Sequence, residues 1–485
     1  MSIAKALTNA VSGLTATARG TETVAANLAN VMTPGYGRRE VALSAQTLGG
    51  HGGGVRIDGI NRIVNASVIA ETRSAMSAGR NAATRLDFLQ RMGDIVGLPG
   101  ESGSLGGALA DFRNSLQSAA TRPDDELRLT AVVDAAQRLT SRLNAASAAV
   151  QNARGAADRA IGSDVDRLNA DLDQVADLNR RIAIIDSDGG DATSLLDQRQ
   201  AAIDRIAAIV PVQEIVRDHG RVALFTAEGA VLLDGSRPAR LEFTPVGQLT
   251  PDMVVETPPV MRLVQNGTEL GESQMRLFAG GSLAASFQIR DELGVQLQRE
   301  LDVLAFDLHE RVADPAVDPS IAATGPGLFT DGADRAVSAS LIGLAARIGV
   351  NELVRPDRGG DLWRLRTGLG AAAAGPVAES RLLSAFSDAI ADSRPPVGGS
   401  DFQGRGTLTT RFAEIEARVA TRRVAAESDS AMRNSRAEAL SARLMEDGVD
   451  SDAEMQRLLQ YEQAYAANAR VIQAIQDMLD QIMRL

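Results

Sequence analysis

Histidine, cysteine and lysine, the side chains that carry most metal, thiol and phosphate chemistry, are almost absent from this chain. It has no cysteine, one lysine, Lys5, and three widely separated histidines, His51, His219 and His309. Glu310 follows His309, but the second histidine of an HExxH zinc motif is missing. No glycine-rich phosphate loop ends in a lysine, and no GxSxG nucleophile elbow occurs. We therefore expect no catalytic residues, no metal site and no cofactor, and the histidines are expected to have packing or surface roles.

Acidic residues are the most abundant candidates for chemistry, with 62 Asp and Glu against 50 Lys and Arg and a net charge of −12. Asp186, Asp188 and Asp191 resemble part of a calcium loop, but their spacing does not fit the EF-hand pattern, so we expect a solvated acidic turn. Nucleic-acid binding requires cations that replace the counterions around phosphate. The acidic balance therefore argues against nucleic acid as a partner.

The length of 485 residues predicts about two to four domains. No apolar run approaches the ~20 residues that span a bilayer, and residues 1–30 lack the continuous apolar core of a secretory signal. We therefore expect no membrane insertion, and any export would use a route without a cleaved signal peptide.

Both ends of the chain carry the seven-residue repeat that is typical of coiled coils. The N-terminal repeat joins Leu7, Val11, Leu14, Ala18, Thr21, Ala25 and Leu28, and Pro34 and Gly35 end the helix. The C-terminal repeat joins Leu458, Tyr461, Tyr465, Asn468, Ile472, Ile475, Leu479 and Ile482, with a neighbouring stripe of Val471, Met478 and Leu485. Residues 451–454 have the sequence of a capping box. Two such helices can pair with each other and with copies from neighbouring chains.

Between the ends, the periodicity predicts a mainly α chain with an inserted β-rich module. Successive helices are expected over about 67–98, 105–121, 124 to beyond 150, 165–187, 194–210, 281–313 and 408–447. Residues 212–278 have the pattern of short strands, with turns at Asp218-His219-Gly220 and at Asn266-Gly267. Residues 38–66 are expected to be extended and loop-like, with a flexible link or tight turn at Gly49–Gly54. The alternation over Leu362–Thr367 predicts that the mixed α/β segment is partly β.

These patterns divide the chain into consecutive segments. The expected boundaries are 1–66 for an N-terminal axial helix and extended segment that pairs with the C-terminal helix, 67–211 for the first part of a helical domain, 212–280 for a β-rich outer module, 281–313 for a helix of the helical domain, 314–407 for the mixed segment, 408–444 for the return of the helical domain, and 445–485 for the C-terminal axial helix.

Several motifs resemble those of one bacterial family. Val11-Ser12-Gly13-Leu14, Asn27-Leu28-Ala29-Asn30 and Thr33-Pro34-Gly35-Tyr36 resemble, in order and spacing, the N-terminal signature of flagellar rod, hook and hook-associated proteins. Residues 458–465 and 469–472 are similar to the terminal helix of the members found at the hook–filament junction. Leu195-Leu196-Asp197-Gln198-Arg199 and Gly280-Gly281-Ser282-Leu283 resemble mid-chain stretches of the same members. The strongly helical middle favours these members over rod and hook proteins, and residues 314–407 carry no resemblance.

The resemblance implies a layered fold with terminal coiled-coil helices, a helical middle domain and an outer β-rich domain. It also implies a non-enzymatic role in an adaptor ring between hook and filament, outside the cell. The implied partners are further copies of the chain, the hook protein, the second hook-associated junction protein, and an export chaperone on the C-terminal helix. Subunits of this family leave through the flagellar type III export channel without a cleaved signal peptide. The residues expected to mediate self-assembly are Leu7, Val11, Leu14, Asn27, Leu28, Asn30, Leu458, Tyr461, Tyr465, Asn468, Ile472, Ile475, Leu479 and Ile482.

Three alternatives remain open from the sequence. The chain could be another flagellar axial protein, such as a hook or rod protein. It could be a cytoplasmic coiled-coil interaction protein, although such a protein would not explain the N-terminal signature. An enzyme that hydrolyses cell wall would need a catalytic carboxylate or a zinc site, and no recognisable frame for either is present.

Overall fold

The two terminal helices and a β-hairpin lie together and are here called the axial module. The computed structural model describes residues 3–33, 35–48, 51–397 and 402–483. The axial module consists of α1 (Ile3–Ala29), β1 (Arg38–Leu48), β2 (His51–Ile63) and α13 (Ser451–Met483). Four residues used in the predictions lie outside the described residues: Pro34, Gly49, Gly50 and Leu485.

The segment expected to be loop-like is a long antiparallel hairpin that packs on α1. Its pairing runs from Arg38 opposite Ile63 to Leu48 opposite His51, with two irregularities on the way. The Ser12 hydroxyl oxygen of α1 accepts the Val55 N–H at 3.2 Å. A Cβ atom on Gly54 would lie 2.1 Å from that oxygen, so the glycine is what allows the strand to approach the helix.

The helical domain is formed by eight main helices around α4, the longest of them. Its helices are α2 (Ala66–Val96), α3 (Leu105–Thr121), α4 (Glu126–Ser187), α5 (Thr193–Ile209), α7 (Gly281–Gln288), α8 (Gly294–Val312), α11 (Arg381–Ala391) and α12 (Leu408–Glu446). A π-helical turn over Ile289–Leu293 joins α7 to α8. The second helix, α2, packs along α12.

The prediction of two separate helices over 124–187 is wrong, because α4 is one helix of 62 residues. Two glycines, Gly155 and Gly162, lie within it, yet neither ends it. A Cβ atom on Gly162 would lie 2.8 Å from Cγ of Pro245. This glycine is therefore a packing position, and the apolar repeat continues through it.

Residues 212–280 form a β module in two small sheets, as the strand pattern predicts. The first sheet has the order β3 (Val212–Val216), β4 (Val222–Thr226), β5 (Val231–Asp234) and β6 (Arg237–Pro238), and the second β7 (Leu241–Glu242), β8 (Val264–Gln265) and β9 (Thr268–Glu269), followed by a helical turn, α6 (Glu272–Met275). Asn266 and Gly267 have φ of 51° and 79°, the left-handed pair that a two-residue hairpin turn requires. His219 and Gly220 are left-handed as well. Both predicted turns are confirmed.

The mixed segment is partly β as expected, but its strands lie elsewhere than the alternation indicated. It contains β10 (Phe329–Asp331), α9 (Leu344–Arg347), β11 (Ile348–Val350) and α10 (Arg364–Thr367). The expected strand at Leu362–Thr367 is wrong, because no strand is paired with it. Its amides bond back along the chain instead, with the Thr367 N–H on the Trp363 carbonyl oxygen at 3.1 Å.

Two large hydrophobic cores lie along α4, and a small third cluster of Leu178, Ile182 and Leu195 lies near its C-terminal end. The first half of α4 packs with α3, α8, α11 and α12, where the Phe112 and Phe329 rings meet edge to face at 5.5 Å. The second half, from Ile161, packs with α5, α7 and the β module. The helical domain and the β module therefore share a core.

Asp302 on α8 is a buried carboxylate that accepts hydrogen bonds from the turn that leads into α9. The Gly343 and Ala345 N–H groups donate to it at 2.8 and 2.9 Å, and the Gln298 side chain donates at 3.0 Å. Burial outweighs these bonds and raises the pKa of Asp302 to about 6. An unfolded Asp has a pKa of about 3.9, so the folded state retains a proton that the unfolded state releases between these two values.

We expect this carboxylate to cost stability as the pH rises from about 4 to about 6, by an amount on the order of 2–3 kcal/mol at the upper end. Asp302→Asn cannot titrate, so its unfolding free energy should lack this decline, apart from a constant offset for the lost Gly343 bond. Urea unfolding of both chains across this pH range measures the difference. Parallel curves for the two chains would contradict the prediction.

Candidate assembly interface

The terminal helices α1 and α13 pack against each other in antiparallel directions. The facing pairs are Gly13 with Asn468, Gly20 with Tyr461, and Asn27 with Glu454. Successive pairs are one heptad apart on both helices. The coiled-coil repeat that the sequence shows at each end is therefore used, at least in part, within the single chain.

Two glycines of α1 allow the helices to approach closely. A Cβ atom on Gly20 would lie 2.5 Å from Cζ of Tyr461, and one on Gly13 would lie 2.8 Å from Nδ2 of Asn468. Contacts this short require a neighbour to move. Only glycine at these two positions of α1 therefore leaves enough room for the Tyr461 and Asn468 side chains of α13.

Asn27 is a fully buried amide that joins α1 to both the hairpin and α13. Its Oδ1 accepts from the Arg39 N–H and the Tyr36 hydroxyl, each at 2.9 Å. Its Nδ2 donates to the Arg39 carbonyl oxygen at 2.8 Å and to Glu454 Oε2 at 3.0 Å. All four hydrogen-bonding positions of the amide are used. Burial, the largest effect, raises the pKa of the neighbouring Tyr36, which keeps its hydroxyl a donor.

Glu454 does not have the capping role that the sequence predicts. Asp450 caps α13 instead, because its carboxylate accepts from the N–H groups of Asp452 and Ala453 at 2.9 and 3.1 Å. The Glu454 side chain is 1 % exposed and lies between the helices, where Arg457 pairs with it at 2.9 Å and Arg38 at 3.6 Å. The capping-box prediction is wrong because Glu454 finds stronger partners across the helix pair.

The predicted residues of α1 border the contact with α13. The most buried positions of this repeat, such as Ala10, Thr17, Val24 and Asn27, precede the predicted apolar positions by one residue. Leu7, Leu14, Leu28 and Asn30 are half-buried, and Val11 is 47 % exposed. Of the predicted α1 residues, only Asn27 lies in the centre of the helix pair.

The predicted residues of α13 divide into two groups. Ile475 is buried, and Leu458, Tyr461, Asn468 and Ile472 are half-buried. Tyr465, Leu479 and Ile482 are exposed, Ile482 at 57 %. Further exposed apolar side chains lie on the same helix: Met455, Leu459, Val471, Met478 and Met483. Contact with α1 thus covers one side of α13 and leaves several apolar side chains of the helix exposed.

The axial module contacts the helical domain through Asp197 on α5, a residue that the helical periodicity does not identify. The Asp197 carboxylate accepts from the Gly37 N–H at 3.0 Å, from Arg39 at 3.0 Å and from Arg62 at 2.6 Å. Arg62 also bonds the Gln200 side chain. Asp197 belongs to the motif Leu195–Arg199, which carries part of the family resemblance. The motif singled out this residue in the sequence but did not indicate what it contacts.

The remaining candidates for chemistry are the histidine and acidic side chains of the described ranges. Over these residues, no group of three His, Asp or Glu side chains is placed to hold a metal ion. No helix within the described part of the chain is both long and apolar enough to cross a membrane. His309 is buried, and its Nδ1 lies 2.8 Å from the Phe329 carbonyl oxygen, so it has a packing role.

Three family models match the chain in order from the N-terminus. The model described as flagella basal body rod protein matches residues 7–36, that of the flagellar hook-associated protein FlgK helical domain matches 89–314, and that of the flagellar basal body rod FlgEFG protein C-terminal matches 443–485. All three models describe flagellar rod or hook-associated proteins, so each matched part of the chain is similar to this family. The two terminal matches of this family cover nearly all of α1 and the whole described length of α13.

Individual relatives match about half of the chain. Flagellar hook-associated protein 1 of Salmonella typhimurium is 29 % identical over 246 residues, which is 49 % of this chain and 44 % of that protein. The protein of the same name from Bacillus subtilis is 27 % identical over 224 residues, 44 % of each. The chain thus aligns with less than half the length of these relatives. A solved structure of the flagellar hook junction protein FlgK from Burkholderia pseudomallei is 22 % identical, with a TM-score of 0.45 over 54 % of this chain and 47 % of that one.

A double-mutant cycle tests the close approach of Gly20 to Tyr461. We expect Gly20→Ala alone to weaken the α1–α13 contact, because the new methyl group meets the ring. In a Tyr461→Ala background the space is free, so Gly20→Ala should stabilise α1 by about 1 kcal/mol through helix propensity. Hydrogen exchange along α1 measures both effects. The same sign in both backgrounds would mean that the ring does not lie over the glycine.

Substitution of Asn27 should release the axial module without unfolding the helical domain. Asn27→Ala leaves the Arg39 backbone groups, the Tyr36 hydroxyl and the Glu454 carboxylate without their partner, at about 1–3 kcal/mol for each group that stays buried. We expect faster hydrogen exchange in β1, β2 and the first turns of α13. The matched control is Asn30→Ala, because the Asn30 amide nitrogen bonds only the Ala26 carbonyl oxygen of its own helix. Equal effects at the two positions would contradict the role assigned to Asn27.

Proposed function

We propose that this chain is a structural, non-enzymatic subunit of the bacterial flagellum, and that it forms the adaptor ring at the hook–filament junction. The observation that carries the proposal is the set of exposed apolar side chains near the C-terminal end of α13, which include Val471, Met478, Leu479 and Ile482. Apolar surface of this kind is typical of a surface that another protein covers. The helical-domain match over residues 89–314 favours a junction protein over a rod or hook protein.

The two terminal helices provide the assembly contacts in this proposal. Within the chain, α1 and α13 form a pair held by Asn27 and Glu454. Between chains, the residues that border this pair bury their exposed surface against a neighbouring copy. On α1 these residues are Leu7, Val11, Leu14, Leu28 and Asn30, and on α13 they are Leu458, Tyr465, Ile472, Leu479 and Ile482. Asn468 and Tyr461 contact α1 within the chain and position the helix that carries the others.

Burial of these α13 side chains provides enough free energy to drive the association of subunits. Each of Ile472, Ile475, Leu479 and Ile482 contributes roughly 1.5–3 kcal/mol when fully buried. Ile475 is already buried in the single chain, so the gain on assembly comes mainly from Leu479, Ile482 and the uncovered part of Ile472. A few such side chains shift an association equilibrium by several orders of magnitude, even after the cost of ordering.

The partners and location follow from the same proposal. The ring consists of copies of this chain and contacts the hook protein on one side and the second hook-associated junction protein on the other. An export chaperone binds α13 before secretion and covers the apolar surface that the ring later buries. The protein lies outside the cell, after export through the flagellar channel without a cleaved signal peptide. The net charge of −12 and the family match make nucleic acid an unsuitable partner.

Truncation of the C-terminal helix tests the proposal in cells. The full chain, carrying a fluorescent label, should mark the hook–filament boundary. Deletion of Ile472–Leu485 should abolish that signal and leave hooks without filaments. The melting temperature of the helical domain should stay nearly the same, because its two cores contain no residue of α13.

A matched control uses the opposite face of the same helix. Gln473, Asp477 and Asp480 are exposed, and their replacement by serine should leave incorporation intact. A truncated chain that still supports filament growth would contradict the assembly role of α13. A label along the whole hook or filament would contradict the junction assignment and favour another axial protein.

A further inference from the structure

The segment Leu195–Arg199 on α5 has polar side chains that point in two directions. Towards the axial module, Asp197 accepts from Gly37, Arg39 and Arg62, as described above. Towards the β module, Arg199 is buried and donates to the Asn179 Oδ1 of α4 at 3.0 Å and to the Gly220 carbonyl oxygen at 2.6 Å. One helical turn of α5 therefore contacts both modules.

Asn179 extends the second set of contacts into the sheet. Its Nδ2 donates to the Val222 carbonyl oxygen at 2.8 Å, and its Oδ1 accepts from the Val222 N–H at 3.2 Å. Val222 is the first residue of β4 and follows the turn at Gly220. The buried amide therefore pairs with the strand backbone as a neighbouring strand would.

A continuous polar path thus runs through the molecule. It begins at Glu454 on α13, passes through Asn27 to Arg39 of the hairpin, and reaches Asp197 on α5. From Arg199, two positions further along α5, it continues through Asn179 to the start of β4. The steps are hydrogen bonds, the Arg39 side chain, and two residues of α5.

We propose that the Leu195–Arg199 segment is a positioning device that sets the orientation of the axial module relative to the β module. Asp197 fixes the base of the hairpin to α5, and Arg199 fixes α5 to α4 and β4. This positioning acts within a single chain and does not depend on ring formation. Its consequence is that a subunit presents its terminal helices and its β module at a set angle.

Directional contacts are needed here because the apolar contact between the two parts is small. The strand β2 touches α5 over a short stretch, and a Cβ atom on Gly35 would lie no nearer to α5 than 4.0 Å, from Cβ of Ala201. A small apolar contact permits sliding and tilting, since it has no preferred direction. By contrast, three donors bond the Asp197 carboxylate, and its side chain is only 16 % exposed. Together these directional bonds allow a single orientation of the hairpin on α5.

Distance measurements between two spin labels test the proposal directly. Because the chain has no cysteine, Gln46→Cys on the hairpin and Ala170→Cys on α4 introduce two unique, exposed labelling sites. We expect a narrow distance distribution in the otherwise unaltered chain and a broad one with Asp197→Asn. Hydrogen exchange in β1 and β2 should also accelerate by about tenfold to a hundredfold, as expected for the loss of charged hydrogen bonds.

The control and a second variant separate positioning from stability. Asp177→Asn removes an exposed carboxylate that pairs with Arg180 and Arg181 on the same helix, and it should leave the distribution narrow. If Asp197→Asn does not fold, Arg62→Met removes one donor from the hairpin side and leaves α5 unchanged. A narrow distribution in a folded Asp197→Asn or Arg62→Met chain would overturn the proposal. A lowered melting temperature with unchanged distances would also overturn it, since it would make Asp197 a residue of stability alone.

Discussion

The four hydrogen bonds of the Asn27 amide are the interaction on which the axial module depends. The Asn27 side chain is fully buried, so any other arrangement of α1 and α13 leaves its polar groups without partners and away from water. A slip of one heptad moves Asn27 away from Glu454 and places Glu454 against a different turn of α1. The hairpin would lose its support as well, because the amide bonds both the N–H and the carbonyl group of Arg39. A single side chain thus sets the register of the helix pair and the position of the strands on it.

The heptad repeats are sufficient to predict both terminal helices, but not the face that each buries. On α1 the buried positions precede the predicted ones by one residue, since the contact is made by glycine, alanine and threonine rather than by the larger apolar side chains. The heptad repeat is recognised from the spacing of large apolar residues, whereas the closest approach of two helices occurs at small residues. The role of Glu454 could not be predicted either, because its partners Asn27 and Arg38 are more than 400 positions away in sequence. The turn at Asn266-Gly267 could be predicted, because these two residues adopt the left-handed conformation of the turn without help from distant contacts.

Several polar and glycine residues of the motifs that carry the family resemblance lie where elements of the structure meet. Asn27 and Tyr36 meet where the helix pair joins the hairpin, and Asp197 lies where the hairpin joins α5. Gly280 and Gly281 both have positive φ, and a Cβ atom on Gly281 would lie 2.0 Å from the Ile209 carbonyl oxygen. Core positions accept several apolar residues of similar volume, but a joint with fixed hydrogen bonds or no room for a side chain accepts very few. These residues therefore fix the positions of the elements that they join.

The two sides of α13 differ in the kind of contact they are suited to make. Towards α1 the helix presents Glu454, Tyr461 and Asn468 over Asn27 and two glycines, a surface of shape and hydrogen bonds that fits one partner in one register. Beside it lie exposed Leu, Ile, Val and Met side chains, whose burial is favourable in almost any orientation. Methionine in particular adapts to irregular neighbours because its side chain is long and unbranched. In the proposed role, the subunit packs between two different structures and must keep its own shape while its contacts vary. Directional bonds within the chain meet the first requirement, and a non-directional apolar surface meets the second.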